Sequence, residues 1–517
     1  MRKAAKKSPR SRTKAKTKTK TKTSKPPAEP STTANGSEAP LQTGQLRIRM
    51  YRVGFGDFFL MTIPSAKDPS HMLHIVIDCG VTGGTTGKGD IGTIKEAVAD
   101  MVAETGGELA LIIMTHRHMD HIIGFSRCPE FQDFKGKVGA IWMPVWENEA
   151  DAGISKFQNE MFALASELHA SLALAADTVP DGRTILAMLQ NAIGVAGAGR
   201  GGGSNAASLA LLKNGLGVRP SYYCKGSPAE LPQSLVDAGL TAEILGPPPA
   251  DASQFMSLMD LRKGVGQYLD TAGNAGGGSS ASGGNKQREH VLPFRKSWKV
   301  TPQDYPKDAF EEWEHRPLEG PKKPGYVEWK HLKQAVDAAQ PAALMSAAKK
   351  VDNHLNNQSL VVLFTYGGKK LLFAGDAQAG NWEYWLYDAP ERTTTPSDKL
   401  GKQASNVLGH LDFYKVGHHG STNATPIAAV NAMNAGFVAM CSTQADTFGS
   451  VKNQGEVPRI PLIASLASKS ALVRSDQIPV QTGPHEIVPV AHGTPPSLPR
   501  PKAGTLVRGP CYVDYLL

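Results

Sequence analysis

"LIIMTHRHMDHIIGF" (residues 111–125) decides how the rest of the chain is read. Its four apolar residues, Leu111 to Met114, form a run too short and too β-branched for a helix, and read as a buried strand. Three histidines and an aspartate then fall between His116 and His121. His116 and His118 alternate, so an extended segment projects both to one side. Asp120 and His121 follow where the chain turns. Imidazoles and a carboxylate converging at a strand end are the ligand set that zinc and similar cations prefer. A merely solvated polar loop is the plain alternative, but with only 15 histidines in the chain this clustering weighs against it.

Working outward, "LRIRMYRVGFGDFFLMTIP" (46–64) shows two strand-like runs around "GFGD", and "HMLHIVIDCG" (71–80) reads as a further strand. "IGTIKEAVADMVAETGG" (91–107) has helical spacing, with Ile91, Ile94, Val98 and Met101 on one face and glycines at its end. Strand, strand, helix, strand with ligands on the last loop is an α/β pattern. Downstream, "NNQSLVVLFTYGGKKLLFAGDAQ" (356–378) reads as two strands joined by a Tyr-Gly-Gly turn and ending on Asp376. "LDFYKVGHHGSTNATP" (411–426) is again strand then loop, carrying His418 and His419.

The stretch from 125 to about 355 is less orderly. "VGAIWMP" (138–144) and "LTAEILGPPPAD" (240–251) read as strands, while 154–176 and 181–194 have helical spacing. Residues 194–215 start loop-like and end as strand or short helix, and the Gly- and Ser-rich segment 271–290 reads as a flexible loop. Residues 290–350 show no clear pattern.

Charge is unevenly placed. Twelve of the 56 Lys and Arg lie in residues 1–26, which hold no Asp or Glu, so the net charge of +9 belongs to the tail and the body is slightly acidic. The composition predicts disorder for 1–44, with weak, salt-sensitive contact to polyanions or a solubilising role. The tail has no apolar run of a signal peptide, and no later stretch offers 18 consecutive apolar residues for a membrane span. Five scattered cysteines without a CxxC pair suit a reducing compartment, so a cytoplasmic location is expected. Cys79 reads as a small core residue.

Three strand ends thus carry candidate ligands, and their order resembles the metallo-β-lactamase superfamily, whose HxHxDH signature is matched by "HRHMDH" (116–121). The nearer resemblance is to the hydrolase domain of the bacterial DNA-uptake protein ComEC and its soluble relatives. It rests on "GFGD" (54–57), "IDCG" (77–80), "NNQSLV" (356–361), "GD" (375–376) and "HHGS" (418–421). The resemblance implies a four-layer αββα sandwich over residues 45–517, with a large insertion at about 126–350. It implies two divalent metal ions, zinc before manganese. His116 and His118 would hold the first; Asp120, His121 and one of the His418/His419 pair would hold the second; Asp376 would bridge them. His419 is favoured as the ligand, with His418 facing the substrate phosphate. Asn356 stands where better-known members place a third histidine, which makes the first metal labile or favours manganese. His354 is a substitute ligand or, more plainly, a solvated loop residue. Asp78 would orient a ligand histidine and Asp57 would lie beside the metals; for both, as for Asp376, a turn aspartate is the plain alternative.

The implied activity is hydrolysis by a metal-bridging hydroxide oriented by Asp120. His118 is the residue that the superfamily's iron-binding redox branch replaces with an acid, so hydrolysis is favoured over electron transfer. A phosphodiester, small or in nucleic acid, is the first expectation for substrate. An ester, thioester or lactone is the alternative, and a non-catalytic metal-binding interaction protein the second.

Overall fold

The computed structural model describes residues 41–82, 92–173, 182–193, 204–257, 341–387, 399–449, 456–477 and 499–517. Of the expectations above, most of the basic tail and the loop 271–290 lie outside them. The chain divides into two units, Met1–Pro40 and a second, Leu41–Leu517.

The chain enters that second unit through an antiparallel set, β1 (Arg47–Tyr51), β2 (Phe58–Pro64) and β3 (Met72–Cys79). Helix α1 (Ile94–Thr105) follows, opened by a capping box in which the Thr93 hydroxyl accepts from the Glu96 N–H and the Glu96 carboxylate accepts from the Thr93 N–H. Gly106, at φ 59°, ends it in the left-handed conformation. The strand read first is β4 (Leu109–Ile113), parallel to β3 and to β5 (Val138–Pro144), and helix α2 (Met119–Arg127) carries the end of the histidine motif. β6 (Ser221–Tyr223) pairs with β5. The second sheet holds β7 (Thr241–Gly246), the hairpin β8 (Val361–Tyr366) and β9 (Lys369–Phe373), then parallel β10 (Leu411–Lys415), β11 (Phe437–Cys441) and β12 (Ser470–Arg474). Gly367 and Gly368, at φ 55° and 77°, give the hairpin its two left-handed turn residues. β13 (Thr505–Arg508) and β14 (Tyr512–Leu516) return to the first sheet, whose order is β13-β14-β1-β2-β3-β4-β5-β6.

Period-two patterning explains why the two sheets face each other. Ile48, Met50, Phe59, Ile75, Leu111 and Ile113 share one core with Val362, Phe364, Leu371, Phe373, Phe413 and Val438. Phe59 meets Phe373 edge to face at 6.0 Å across it. The alternate residues of the first sheet, such as Leu60, Val76 and Ile112, pack on α1 and α2. Those of the second, such as Leu372, Tyr414 and Ala439, pack on four further helices, Ala379–Leu386, Lys402–Leu408, Ile427–Ala432 and Ile460–Ala467. The result is a mixed α/β protein with two mixed sheets. Among the described residues, no helix is long and apolar enough to cross a membrane.

Three strands of the stretch 126–350 belong to the sheets. β5 and β6 extend the first sheet and β7 edges the second, because their apolar sides complete the shared core. What stands apart is a helical cluster: α3 (Ala152–Ala173), α4 (Gly182–Ile193) and the helix Pro341–Asn356 bury Leu168, Leu172, Ile185, Leu189, Val351 and Leu355 among themselves. His354 lies inside that last helix rather than on a solvated loop. It is 1% exposed, and its Nδ1 sits 2.6 Å from the Lys350 carbonyl, one helical turn back.

Candidate metal centre

The C-terminal ends of β3, β4, β9, β10 and β11 deliver Asp78, His116 and His118, Asp376, His418 and His419, and Ser442 respectively. Asp78, His418 and His419 adopt φ of 56°, 43° and 53°, three of the four positive-φ non-glycine residues described. Such backbone persists only where surrounding structure holds it, and it concentrates at functional sites. Gly80 permits the close approach: a Cβ there would stand 2.2 Å from the Asp120 carbonyl carbon, so only glycine lets α2 start against the end of β3.

Four predicted ligands converge. Asp120, His121, Asp376 and His419 each offer an atom, and these atoms lie within 4.8 Å of one another, all buried. His419 Nε2 is 3.0 Å from Asp120 Oδ2 and 3.4 Å from Asp376 Oδ2; His121 Nε2 is 3.0 Å from the same Asp376 oxygen. The other nitrogen of each ring is held from behind. His419 Nδ1 donates to the Ser442 carbonyl at 2.7 Å, and His121 Nδ1 donates to Asp78 Oδ2 at 2.8 Å. These bonds fix the tautomer, leaving both Nε2 lone pairs aimed at carboxylates, an arrangement that needs a proton or a cation between them. Asp78 is itself locked, accepting from the Thr115 N–H at 2.7 Å and its hydroxyl at 2.6 Å.

Electrostatics describe the same competition. Burial alone would depress His419, but Asp376, Asp57 and Asp120 push it up to about 10. Burial likewise opposes a charge on His121, and Asp376, Asp78 and Asp120 carry it well above its ordinary value. Burial works against ionising Asp120 and Asp376 as well; His121 and His419 outweigh it and hold both carboxyls below the usual range. Protons and a divalent cation would contend for the same lone pairs.

His116 and His118 are beside this group but not within it. Their ring centroids are 4.7 Å apart, and His116 lies 4.1 Å from the His121 ring. Burial, then His121 and His118, drives His116 well below its ordinary pKa; burial also lowers His118. Both are therefore neutral, the form a metal takes. Their Nε2 atoms, that of His121 and the Oδ1 of Asn356 are buried without a hydrogen-bond partner. Asn356 Nδ2 donates to Asp352 Oδ2 at 3.1 Å, leaving the amide oxygen as its free face. Orphaned imidazole nitrogens and an amide oxygen beside carboxylates are a nitrogen-and-oxygen donor set that fits divalent zinc or manganese. His418 stays outside, its side chain 17% exposed and 3.9 Å from Asp376. Its Nδ1 lies 3.1 Å from Gln378 Nε2 and 3.3 Å from Asn423 Oδ1, and its Nε2 lies 3.3 Å from Asn356 Nδ2.

Three residues that the motifs did not single out shape the site. Lys415 is 2% exposed, pairs with Asp57, lies 3.4 Å from Asp376 Oδ1 and donates to the Gly375 carbonyl at 2.9 Å. Burial opposes its charge, and Asp57 and Asp376 raise its pKa above the usual lysine value. Asp57, Asp78 and His121 also lie together, but the ammonium already sits on Asp57. Asp352 is half-buried beside His118 and held by Asn356, and desolvation pushes its carboxyl up to about 6. Asn191 reaches Asp120 from α4. Lys415 had a signal, since it shares strand parity with the inward Phe413; Asn191 and Asp352 had none.

Neither a protein-family model nor a curated protein matches this chain.

Proposed function

We propose that the chain is a metal-dependent hydrolase of the metallo-β-lactamase superfamily, in its ComEC-like branch, acting on phosphodiesters. The observation that carries this reading is the group Asp120, His121, Asp376 and His419, with both imidazoles anchored through Nδ1 and presenting Nε2. Two face-to-face sheets with helices on their outer sides are what the four-layer αββα sandwich requires.

Asp120, His121 and His419 would hold one cation, His116, His118 and Asn356 Oδ1 the other, and Asp376 would serve both. Bound there, divalent cations supply an acidified water and positive charge for a phosphoryl oxygen. The chain's own groups do the rest. Asp120 presents Oδ2 towards the reacting space, and Asp78 and Ser442 keep the two rings from turning. His418, the most open of these histidines, is placed to donate to a substrate oxygen. The Phe55 ring lies 4.2 Å from His419 and keeps water from that side. The basic residues of 1–26 would add salt-sensitive grip on a polyanionic substrate. The unpaired state of all five cysteines supports a reducing, cytoplasmic setting.

The test is hydrolysis of a chromogenic phosphodiester by zinc- or manganese-loaded protein, with Asp376→Asn as control. Turnover that falls to background in the variant and in chelator is expected. Turnover on a chromogenic ester or thioester alone would replace the substrate class. Bound metal with no turnover on any of these would make the chain a binding protein.

A further inference from the structure

We infer that Asn191, from the helical cluster outside the two sheets, is the positioning residue that decides which oxygen of Asp120 faces the metal centre. The inference rests on the metal-binding part of the reading above and is independent of hydrolysis.

Helix α2 needs help at its start. His118 is its N-cap and makes no side-chain capping bond, because its ring is turned into the site. The early N–H groups of the helix therefore lack the partner that Ser, Thr, Asn or Asp would ordinarily supply from that position. Asn191 supplies it from 71 residues away: its Oδ1 accepts from the Asp120 N–H at 3.1 Å. The same amide turns its other end on the same residue, Nδ2 donating to Asp120 Oδ1 at 2.8 Å. A backbone N–H can only donate and an ionised carboxylate can only accept, so the pair of bonds fixes the amide's orientation. With Oδ1 occupied, Oδ2 is the oxygen left to face His419 Nε2 at 3.0 Å. The carboxylate is thus gripped on one side and presented on the other.

The grip is braced. Asn205 Nδ2 donates to the Asn191 carbonyl at 3.2 Å and to the Arg117 carbonyl at 2.7 Å, tying the end of α4 to the loop between His116 and His118. Leu189, Ala192 and Ile193 anchor that end in the helical cluster. The amide therefore reaches the site on a packed element rather than a free loop. Partners of this kind, when removed, commonly weaken metal binding about 10–100-fold.

The experiment is titration of the metal-free full-length protein with Co²⁺, following visible absorption of the centre and, separately, thermal unfolding without metal. Asn191→Ala is expected to bind Co²⁺ about 10–100-fold more weakly and with an altered spectrum. Asn205→Ala, which loosens the brace but leaves the amide, is expected to weaken Co²⁺ binding less than Asn191→Ala does. Should Asn191→Ala not fold, Asn191→Asp is read instead, since it keeps the acceptor for the N–H and loses the donor to Oδ1. Wild-type affinity and spectrum in the Asn191 variant, with only its metal-free stability lowered, would overturn the inference and leave Asn191 a helix cap. No Co²⁺ bound by the wild-type protein would instead remove the metal reading on which it rests.

Discussion

A single carboxylate, Asp78, does three jobs with two oxygens: it accepts from the Thr115 N–H, the Thr115 hydroxyl and His121 Nδ1. Removing it frees the His121 ring and leaves Thr115 with unmet donors. Asp78→Ala should therefore weaken zinc binding by about 10–100-fold, measured by competition with a chromophoric chelator. Equal affinity in the variant would mean that His121 needs no orienting partner. Lys415 makes a different demand. Its ammonium offsets Asp57 and Asp376 in a region closed to solvent. Lys415→Met leaves those carboxylates buried without it, which should cost the metal-free protein about 3–5 kcal/mol. Zinc brings compensating charge to Asp376, so the loss in urea unfolding should shrink when zinc is present. A loss of the same size with and without zinc would show that Lys415 serves Asp57 and its packing rather than Asp376.

At the scale of elements, what could be read beforehand is what is local. The ligands sit within a few residues of strand ends, so "HRHMDH", "GD" and "HHGS" announced both the strands and their loops, and α1 announced its glycine stop but not its Thr93 cap. What the sequence hid is what tertiary packing supplies. Asn191 lies in an ordinary helical stretch, and nothing in "MLQNAIG" ties it to Asp120. β6, at three residues, is too short to stand out by periodicity. The last strand was equally silent. β14 lies between β13 and β1 because Asp514 receives Arg49 through two bonds of 2.8 Å, while that guanidinium rests 3.4 Å from the Tyr512 ring centroid. Asp514→Ala leaves Arg49 buried with Asp100 as a remaining partner and should lower unfolding free energy by about 3 kcal/mol. Because Asp514, Asp100 and Tyr512, the partners of Arg49, are not metal-site residues, zinc affinity of the folded variant should match the wild type; a fall in both would place β14 in control of the site.

For the whole molecule, those described histidines whose pKa is shifted divide into two groups with opposite consequences for stability against pH. His74 and His354 are buried and neutral, pushed down to about 4 chiefly by burial. His74 rests against the Thr62 hydroxyl at 3.1 Å and His354 against the Lys350 carbonyl. An unfolded chain protonates histidine near 6.5, so between about 6.5 and 4 the unfolded state binds protons that the folded state refuses. Stability must fall as pH drops through that window, by up to about 3 kcal/mol for each histidine. His116 and His118, also depressed, act in the same direction. His121 and His419 act in reverse. Both are raised in the metal-free fold, so their contribution is complete below about 6.5; that of His419 is lost as pH rises towards 10, and that of His121 as pH rises through its own raised pKa. The metal-free protein should accordingly be most stable near pH 6.5, declining on both sides. Zinc replaces the protons on His121 and His419, so loading should abolish the alkaline decline and leave the acid one. Replacing His74 and His354 together with glutamine should make the acid decline shallower, with His116 and His118 still contributing, and leave the alkaline side unchanged. Urea unfolding from pH 4.5 to 9.5, with and without zinc, separates the two limbs. An alkaline decline that persists unchanged in the zinc-loaded protein would mean that the metal does not occupy the place held by those two protons.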